Sequence, residues 1–457
     1  MTINTKNVNN VFYIFVISHL IFWTLIPSVT NHNLPLDTIE ALAWGSNLDW
    51  GFNKHPPFSA FAVEFFYQVF GKQDWAYYFL SQVFVVASFI IIFKFANDFF
   101  NDSKLAFISI LLLEGIFFYN FTSPEFNVNI SQMPFWAFSI FFTWRCIKYN
   151  KPIDFVFLGI FIGLGILSKY LFIYLVLGIK LFFIYLIFKG KKIKYIHLLI
   201  TSFVALAVIF PHLLWLVEND YKTIFYGLQR TGGPGTFLDH LYFPISFLIK
   251  QIIILIPLIL MVFFLFRSFK IKLNLKDQKN IFLLFTILVP IILIFLTSVI
   301  MGVKIRTMWM SPFYLGVGVL IVYFLQTAKL KINLKKFYFI FIFFLLLSPT
   351  IYLSISLMND KKRTDFPGGE IARLVQNKWD KNFNNEINIV IGDEWYAGNL
   401  SYHLSSRPKW MQSLSKSSDI GVNEGVIYTG NPKILKEVCP GVFGEIRPVG
   451  YCMIGQK

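Results

Sequence analysis

The chain has 457 residues, of which 56% are hydrophobic, 19% aromatic and 14% charged. Soluble domains run near about 45–50% apolar and about 25% charged, so a soluble enzyme and a disordered chain are both excluded and a polytopic membrane protein remains. The net charge of +16 is what Lys- and Arg-rich cytoplasmic loops supply, and it does not call for nucleic acid as a partner.

Residues 11–29 (VFYIFVISHLIFWTLIPSV) form the first apolar run. It is longer than a signal-peptide core and has no small-residue cleavage site behind it, so it reads as a retained helix. His19, within it, reads as a helix-packing histidine. Ten further runs follow at 75–96, 105–121, 131–148, 153–168, 170–188, 197–217, 243–266, 281–300, 309–326 and 338–357. Continuous apolar runs of this kind cross a bilayer only as helices, because each backbone amide must be satisfied within its own segment. With a cytoplasmic N-terminus the inside loops are 97–104, 145–152, 189–196, 267–280 and 327–337. The last four are rich in Lys and Arg, as the positive-inside rule requires.

This reading gives an all-α polytopic membrane protein of about eleven transmembrane helices over residues 1–357, with a long outer loop at 30–74. An odd number of spans places residues 358–457 outside. There the composition changes: EIARLVQNKW has helical amphipathic spacing, and INIVIGD and GVIYTG are short β-branched runs between turn residues. A small extracytoplasmic α/β domain is expected. Cys439 and Cys452 lie in it, and an oxidising compartment is compatible with a disulfide between them. Cys146, the third cysteine, falls at a helix end, and no Cys–His cluster has zinc-finger spacing. The outer loop 218–242 reads as glycine-rich (RTGGPGTF).

Chemistry is expected where ionisable residues gather at the outer face. In the loop 30–74, Asp37 and Glu40 are one helical turn apart, Trp44 extends their face, and Trp44 and Trp50 can stack on a sugar or seal a cavity. Paired carboxylates can divide labour, one as base and one to orient an acceptor. A divalent cation is compatible with them, and the spacing does not require one. Lys54 and His55 precede Pro56-Pro57, a rigid frame that can hold an ammonium against a phosphate. Glu125, Asn127 and Asn129 alternate in the second outer segment, where amides can hydrogen-bond sugar hydroxyls. Lys169-Tyr170 ends a Gly-rich apolar run, and an ionisable residue there is a functional candidate by default. Arg306 could clamp a phosphate. The competing reading of each is ordinary: interfacial capping, snorkelling or an aromatic belt. His212, near the outer end of its span, reads as a packing residue.

Taken together, these motifs resemble the GT-C membrane glycosyltransferases. The branch is the bacterial one related to dolichyl-phosphate-mannose–protein mannosyltransferases and the lipid A aminoarabinose transferase. The residues that carry the resemblance are Asp37-x-x-Glu40, Trp50-Gly51-Phe52-x-Lys54-His55-Pro56-Pro57 and Glu125-Phe126-Asn127-x-Asn129. Ser168-Lys169-Tyr170, Pro211-His212, Arg306-x-x-Trp309 and Gly392-Asp393-x-Trp395 follow in order. The resemblance implies a multi-pass protein of the bacterial cytoplasmic membrane. It would move a sugar, with inversion, from a polyprenyl-phosphate-linked donor to a lipid, glycan or protein acceptor on the outer face. It further implies Asp37 as the catalytic or acceptor-orienting acid with Glu40 second, and a lysine of the diproline motif at the phosphate. The competing function is a flippase for a lipid-linked sugar. No inverted repeat is visible, and the polar clusters concentrate on one face.

Overall fold

The computed structural model describes residues 5–191, 193–233, 235–266, 276–328, 330, 332–359, 361–413 and 423–457. Helix α1 (Thr5–Thr30) leads into an outer segment that carries two short helices, α2 (Leu36–Gly45) and α3 (Phe58–Phe70). Then come α4 (Asp74–Phe100), α5 (Ser103–Leu111), α6 (Val128–Tyr149), α7 (Pro152–Ser168), α8 (Ile173–Phe188) and α9 (Tyr195–Glu218). A short helix, α10 (Lys222–Thr231), precedes α11 (Asp239–Ile254), α12 (Ile256–Leu265), α13 (Gln278–Leu283), α14 (Val289–Met301), α15 (Val317–Thr327) and α16 (Leu334–Met358).

Local chemistry sets the turns. Asn101 ends α4 with φ 52°, a left-handed conformation that Asn tolerates, and Asp102 then caps α5 by accepting from the Lys104 and Leu105 amides at 2.8 and 3.3 Å. Asn150 ends α6 in the same way with φ 50°, and Pro152 opens α7, where a missing N–H costs nothing. Helices α7 and α9 approach closely through small residues. A Cβ on Gly159 would lie 2.6 Å from the Thr201 carbonyl oxygen, and one on Gly163 2.6 Å from Val208 Cβ.

Among the described residues, six helices are long and apolar enough to cross a membrane; two bent pairs raise this to eight if each is one span. Among the eleven expected runs, 105–121 is not one helix. It is α5 followed by two 3₁₀ turns, Leu112–Gly115 and Phe117–Tyr119. Gly115 there lies against the Leu258 backbone, and Glu114 is buried with its Oε2 3.2 Å from His19 Nδ1, a packing pair inside the bundle. The run 243–266 bends by 52° between α11 and α12, where Pro257 interrupts the hydrogen-bond ladder. The run 309–326 begins as 3₁₀ turns around Pro312 before a 51° bend into α15. The basic loop 267–280 falls largely outside the described residues.

The C-terminal region builds a five-stranded sheet: β1 (Ile387–Ile391), β2 (Lys409–Met411), β3 (Gly425–Gly430), β4 (Val442–Ile446) and β5 (Val449–Ile454), in the order β2-β1-β3-β5-β4. Strand β1 is parallel to β2 and β3, while β5 is antiparallel to both β3 and β4. Helix α17 (Gly368–Asp380) precedes β1, α18 (Tyr396–His403) crosses from β1 to β2, and α19 (Pro432–Val438) follows β3. A disulfide joins Cys439 and Cys452 at the β5 side of the sheet.

The apolar core of the sheet continues into the outer loop of the membrane part. Trp44, Phe52 and Ala60 pack in the same buried cluster as Trp379, Leu400, Ile427 and Tyr451. Helix α18 lies on α2, with Gly398 so close that a Cβ would meet Ala43 Cβ at 3.1 Å and Ile39 Cγ2 at 3.2 Å. Arg407 donates from Nη2 to the Leu42 carbonyl at 2.7 Å and to Glu64 Oε2 at 3.0 Å. The sheet is thereby fastened to the helix that carries Asp37 and Glu40.

Candidate active site

Helix α2 starts behind Pro35 and sets Asp37 in its first turn, where the helix dipole favours a negative charge. The Asp37 amide donates to Glu125 Oε1 at 3.0 Å, and Thr38 Oγ1 donates to the Phe126 carbonyl at 3.1 Å, so the second outer segment is pinned to the start of α2. Glu40 lies one turn further on. A tight turn closed by the Phe52 amide on the His55 carbonyl (3.1 Å) presents Lys54 back toward it, and Pro56 and Pro57 then fix the entry to α3. The Lys54 ammonium bonds Glu40 Oε2 and lies 3.1 Å from Glu394 Oε1.

Asn127 caps α6 through Oδ1, accepting from the Asn129 and Ile130 amides at 2.8 and 3.2 Å. Asn129 Oδ1 in turn accepts from Lys169 Nζ at 2.5 Å, and that ammonium sits 4.8 Å from the Trp309 ring centroid. Lys169 is an extended residue at the break between α7 and the turn that leads into α8. Beside it, Tyr170 hydrogen-bonds His212 Nε2 at 2.7 Å and Thr223 Oγ1 at 2.6 Å. His212 Nδ1 lies 2.6 Å from the Trp50 carbonyl. A carbonyl only accepts, so Nδ1 carries the proton, Nε2 accepts from Tyr170, and Thr223 donates to Tyr170.

All eleven residues expected at the site border one cavity of about 840 Å³. Asp37, Glu40, Trp44, Lys54 and His55 come from the first outer segment; Glu125, Asn127 and Asn129 from the second; Lys169, Tyr170 and Arg306 from later breaks. Apolar side chains such as Leu171, Ile173 and Leu228 complete the wall.

Some expectations are corrected. Residues 218–242 are not simply a glycine-rich loop: 222–231 form α10, an amphipathic helix that brings Thr223, Tyr226 and Arg230 to the cavity. Trp44 borders the cavity but is only 1% exposed, stacked on Phe52 with centroids 5.3 Å apart, so its ring is a wall and not a free platform for a sugar. Trp50 is absent from the lining and meets Phe61 edge-on at 5.5 Å.

Three further groups have no counterpart in the sequence reading. Arg230 lines the cavity from α10 and Lys362 and Arg363 from the segment after α16, while Glu394 contacts Lys54 from the turn after β1. The amphipathic spacing of KTIFYGLQRT is the signal that could have found Arg230. Glu394 occupies the open position of the Gly392-Asp393-x-Trp395 motif, which marks the turn and not the side chain.

Burial dominates the electrostatics. It raises the Asp37 carboxyl above its ordinary range, against the opposing charges of Lys169, Lys54 and Arg306. Burial brings Glu40 to about 7 despite Lys54, and brings Glu125 to about 8 with the Asp37 charge adding to the rise. Glu125 is therefore mainly a neutral acid at pH 7. His55 is pushed to about 3 by burial and by the Lys169 and Lys54 charges, so it stays neutral. Burial lowers Lys169 to about 7. Lys54 is held above its usual value, because Glu40 and Glu394 outweigh the cost of burying its charge. Arg230, Arg306 and Arg363 are exposed, and none lies within ion-pair distance of a carboxylate among the described residues. Among those residues, no group of three His, Cys, Asp or Glu side chains is placed to hold a metal ion.

Residues 54–215 match the sequence model of the family described as dolichyl-phosphate-mannose-protein mannosyltransferase. Across nearly the whole chain the fold matches the crystal structure of ArnT from Cupriavidus metallidurans bound to undecaprenyl phosphate. The TM-score is 0.65 at 12% sequence identity, covering 96% of this chain and 97% of ArnT. The apo structure of the same enzyme gives the same values. The chain has the GT-C membrane glycosyltransferase fold, related to that of the mannosyltransferases and ArnT. No curated protein sequence matches it. In this GT-C fold the family match begins at Lys54 and ends at Trp215, so it spans the diproline turn, both asparagines, Lys169-Tyr170 and His212.

Proposed function

We propose that the protein is a glycosyltransferase of the bacterial cytoplasmic membrane. It takes a sugar from a polyprenyl-phosphate carrier and passes it to a hydroxyl-bearing lipid, glycan or protein acceptor at the outer face. The N-terminus is then cytoplasmic, and residues 358–457 form an extracytoplasmic domain. The observation that carries this reading is the cavity itself. A carboxyl pair, half-buried Asp37 and buried Glu40, shares one chamber with three arginines that have no ion pair among the described residues, and apolar side chains form part of its wall.

The chemistry follows from charge. The acceptor oxygen attacks the anomeric carbon from the face opposite the phosphate, giving inversion. The bond from that carbon to the phosphate oxygen breaks, and its electron pair leaves with the polyprenyl phosphate, which gains one negative charge. Arg306, Arg230 and Lys169 stabilise that charge as it develops. Asp37 accepts the acceptor hydroxyl's proton, and burial, by raising its pKa, makes it a stronger base than an exposed carboxylate. Glu125, neutral and fixed on the Asp37 amide, orients α2 and does not compete for the proton. Asn127 and Asn129 border the space for the sugar.

The test is reconstitution of purified protein in vesicles with a radiolabelled polyprenyl-phosphate sugar and a membrane-lipid or polymer acceptor. Label that moves to the acceptor supports the transferase. Label that crosses the bilayer on its original carrier and is never transferred supports the flippase.

A further inference from the structure

The C-terminal domain reaches Lys54, a residue of the cavity wall, through Glu394. Strand β1 ends at Ile391, and Gly392 follows with φ 147°, a conformation that side chains rarely adopt. A Cβ there would also collide with Thr429 Oγ1. Asp393 then caps α18, its Oδ1 accepting from the Trp395 and Tyr396 amides at 2.8 Å each. Glu394 is therefore held between a strand end that only glycine fits and a capped helix. That helix packs on α2 through Gly398.

From that fixed point Glu394 Oε1 accepts from Asn53 Nδ2 at 2.9 Å and lies 3.1 Å from Lys54 Nζ. Asn53 Nδ2 also donates to Gln412 Oε1 at 3.0 Å, a second tie to the sheet region, just beyond β2. The side chains of Lys54, Glu40 and Glu394 are 22%, 12% and 13% exposed, so bulk water screens this triad only weakly. A lysine between two carboxylates is a poor ligand for a phosphate, since its charge is already matched.

We propose that Glu394 is a positioning residue for the transfer site: from the sheet it holds the Lys54 ammonium against Glu40, and so makes the C-terminal domain part of the reaction machinery. The inference rests on the transferase reading for its catalytic half and on geometry alone for its hold on Lys54. Glu40 is faced by Lys54, Asp37 and Glu394. Removing the Glu394 charge removes a repulsion on Glu40 and leaves Lys54 with one carboxylate.

Two measurements on the full-length protein separate the halves. The first is the rate of Lys54 acylation by an amine-reactive ester, read by mass spectrometry with exposed Lys409 as the internal reference. In Glu394→Gln the Lys54 rate rises several-fold and the Lys409 rate does not. An unchanged Lys54 rate overturns the proposal whether or not the protein transfers sugar. The second is the pH profile of transfer. Glu394→Gln lowers turnover about ten-fold, the scale of one lost hydrogen bond to a charged group, and moves the acid limb to lower pH, while the donor KM stays within about two-fold. Glu394→Asp, which keeps the charge, restores most of the rate. An active wild type whose rate and pH profile are unmoved in Glu394→Gln overturns the catalytic half. A wild type that never transfers sugar overturns the transferase reading, and the acylation result still decides the hold on Lys54.

Discussion

Two stretches of the cavity wall handle positive charge in opposite ways. On the α2 side, Lys54 is clasped by Glu40 and Glu394. Elsewhere on the wall Arg230, Arg306 and Arg363 stand without a carboxylate partner among the described residues. A clasped lysine is well oriented but electrostatically spent. Unpartnered arginines in a confined chamber keep their field and their forked donors for an anion. Under the proposed transferase reading, the difference assigns the phosphate to the arginines and leaves the diproline lysine an orienting task.

The largest effect expected concerns neither group of cations but the base. Asp37→Asn keeps the size of the side chain and removes its basicity, so transfer falls by on the order of 10²–10⁴-fold, read as initial rate with labelled donor. Next comes Arg306→Ala, which removes an unpartnered cation. The donor KM rises about ten-fold or more, and the salt dependence of donor binding flattens. Lys54→Ala sharpens the contrast: its effect falls on turnover and the pH profile, with little change in donor affinity. A ten-fold loss of donor affinity in Lys54→Ala, with none in Arg306→Ala, would reverse the assignment.

A smaller effect tests the neutral acid. Glu125→Gln retains the oxygen that accepts from the Asp37 amide and mimics the protonated carboxyl, so the rate at pH 7 stays within about three-fold, whereas Glu125→Ala loses more. The same group has a stability signature. With folded values of about 7 for Glu40 and about 8 for Glu125, the folded state keeps protons that the unfolded chain has already released above its ordinary carboxylate range. The contribution of these two carboxyls to stability therefore falls as pH rises from about 4.5 to about 8, while His55, held neutral in the fold, contributes a rise with pH up to its ordinary imidazole range. Comparing thermal unfolding of the wild type with Glu125→Gln isolates the carboxyl part: the wild type loses stability relative to the variant across the upper part of that window. The smallest effect on transfer is expected from replacing Cys439 and Cys452 by Ser. That disulfide lies at the β5 side of the sheet, away from β1 and Glu394, and its loss lowers thermal stability with little change in rate.

Much of this was legible in the sequence, because the relevant signals are local. Apolar runs, the Asp37/Glu40 spacing and the Lys54–Pro57 turn need no tertiary context. The outer sheet showed in its β-branched runs. Where reading failed, the deciding force was long-range. Glu114 lies where its run breaks, buried against His19, 95 residues earlier in the chain. Trp44 is a wall because the core of a distant sheet closes over it. Glu394 sits in a glycine-dependent strand-end turn that the sequence marks, but only the docking of α18 on α2 carries it to Lys54. Arg230 was hidden by the adjacent glycines, which drew 218–242 toward a loop reading.

The most direct test of the central claim is a single-turnover measurement with donor-saturated protein, wild type beside Asp37→Asn. Donor binding is checked in the same samples. The account predicts equal donor binding in the two and sugar transfer in the wild type only. Transfer by Asp37→Asn at the wild-type rate would contradict it and remove Asp37 as the base.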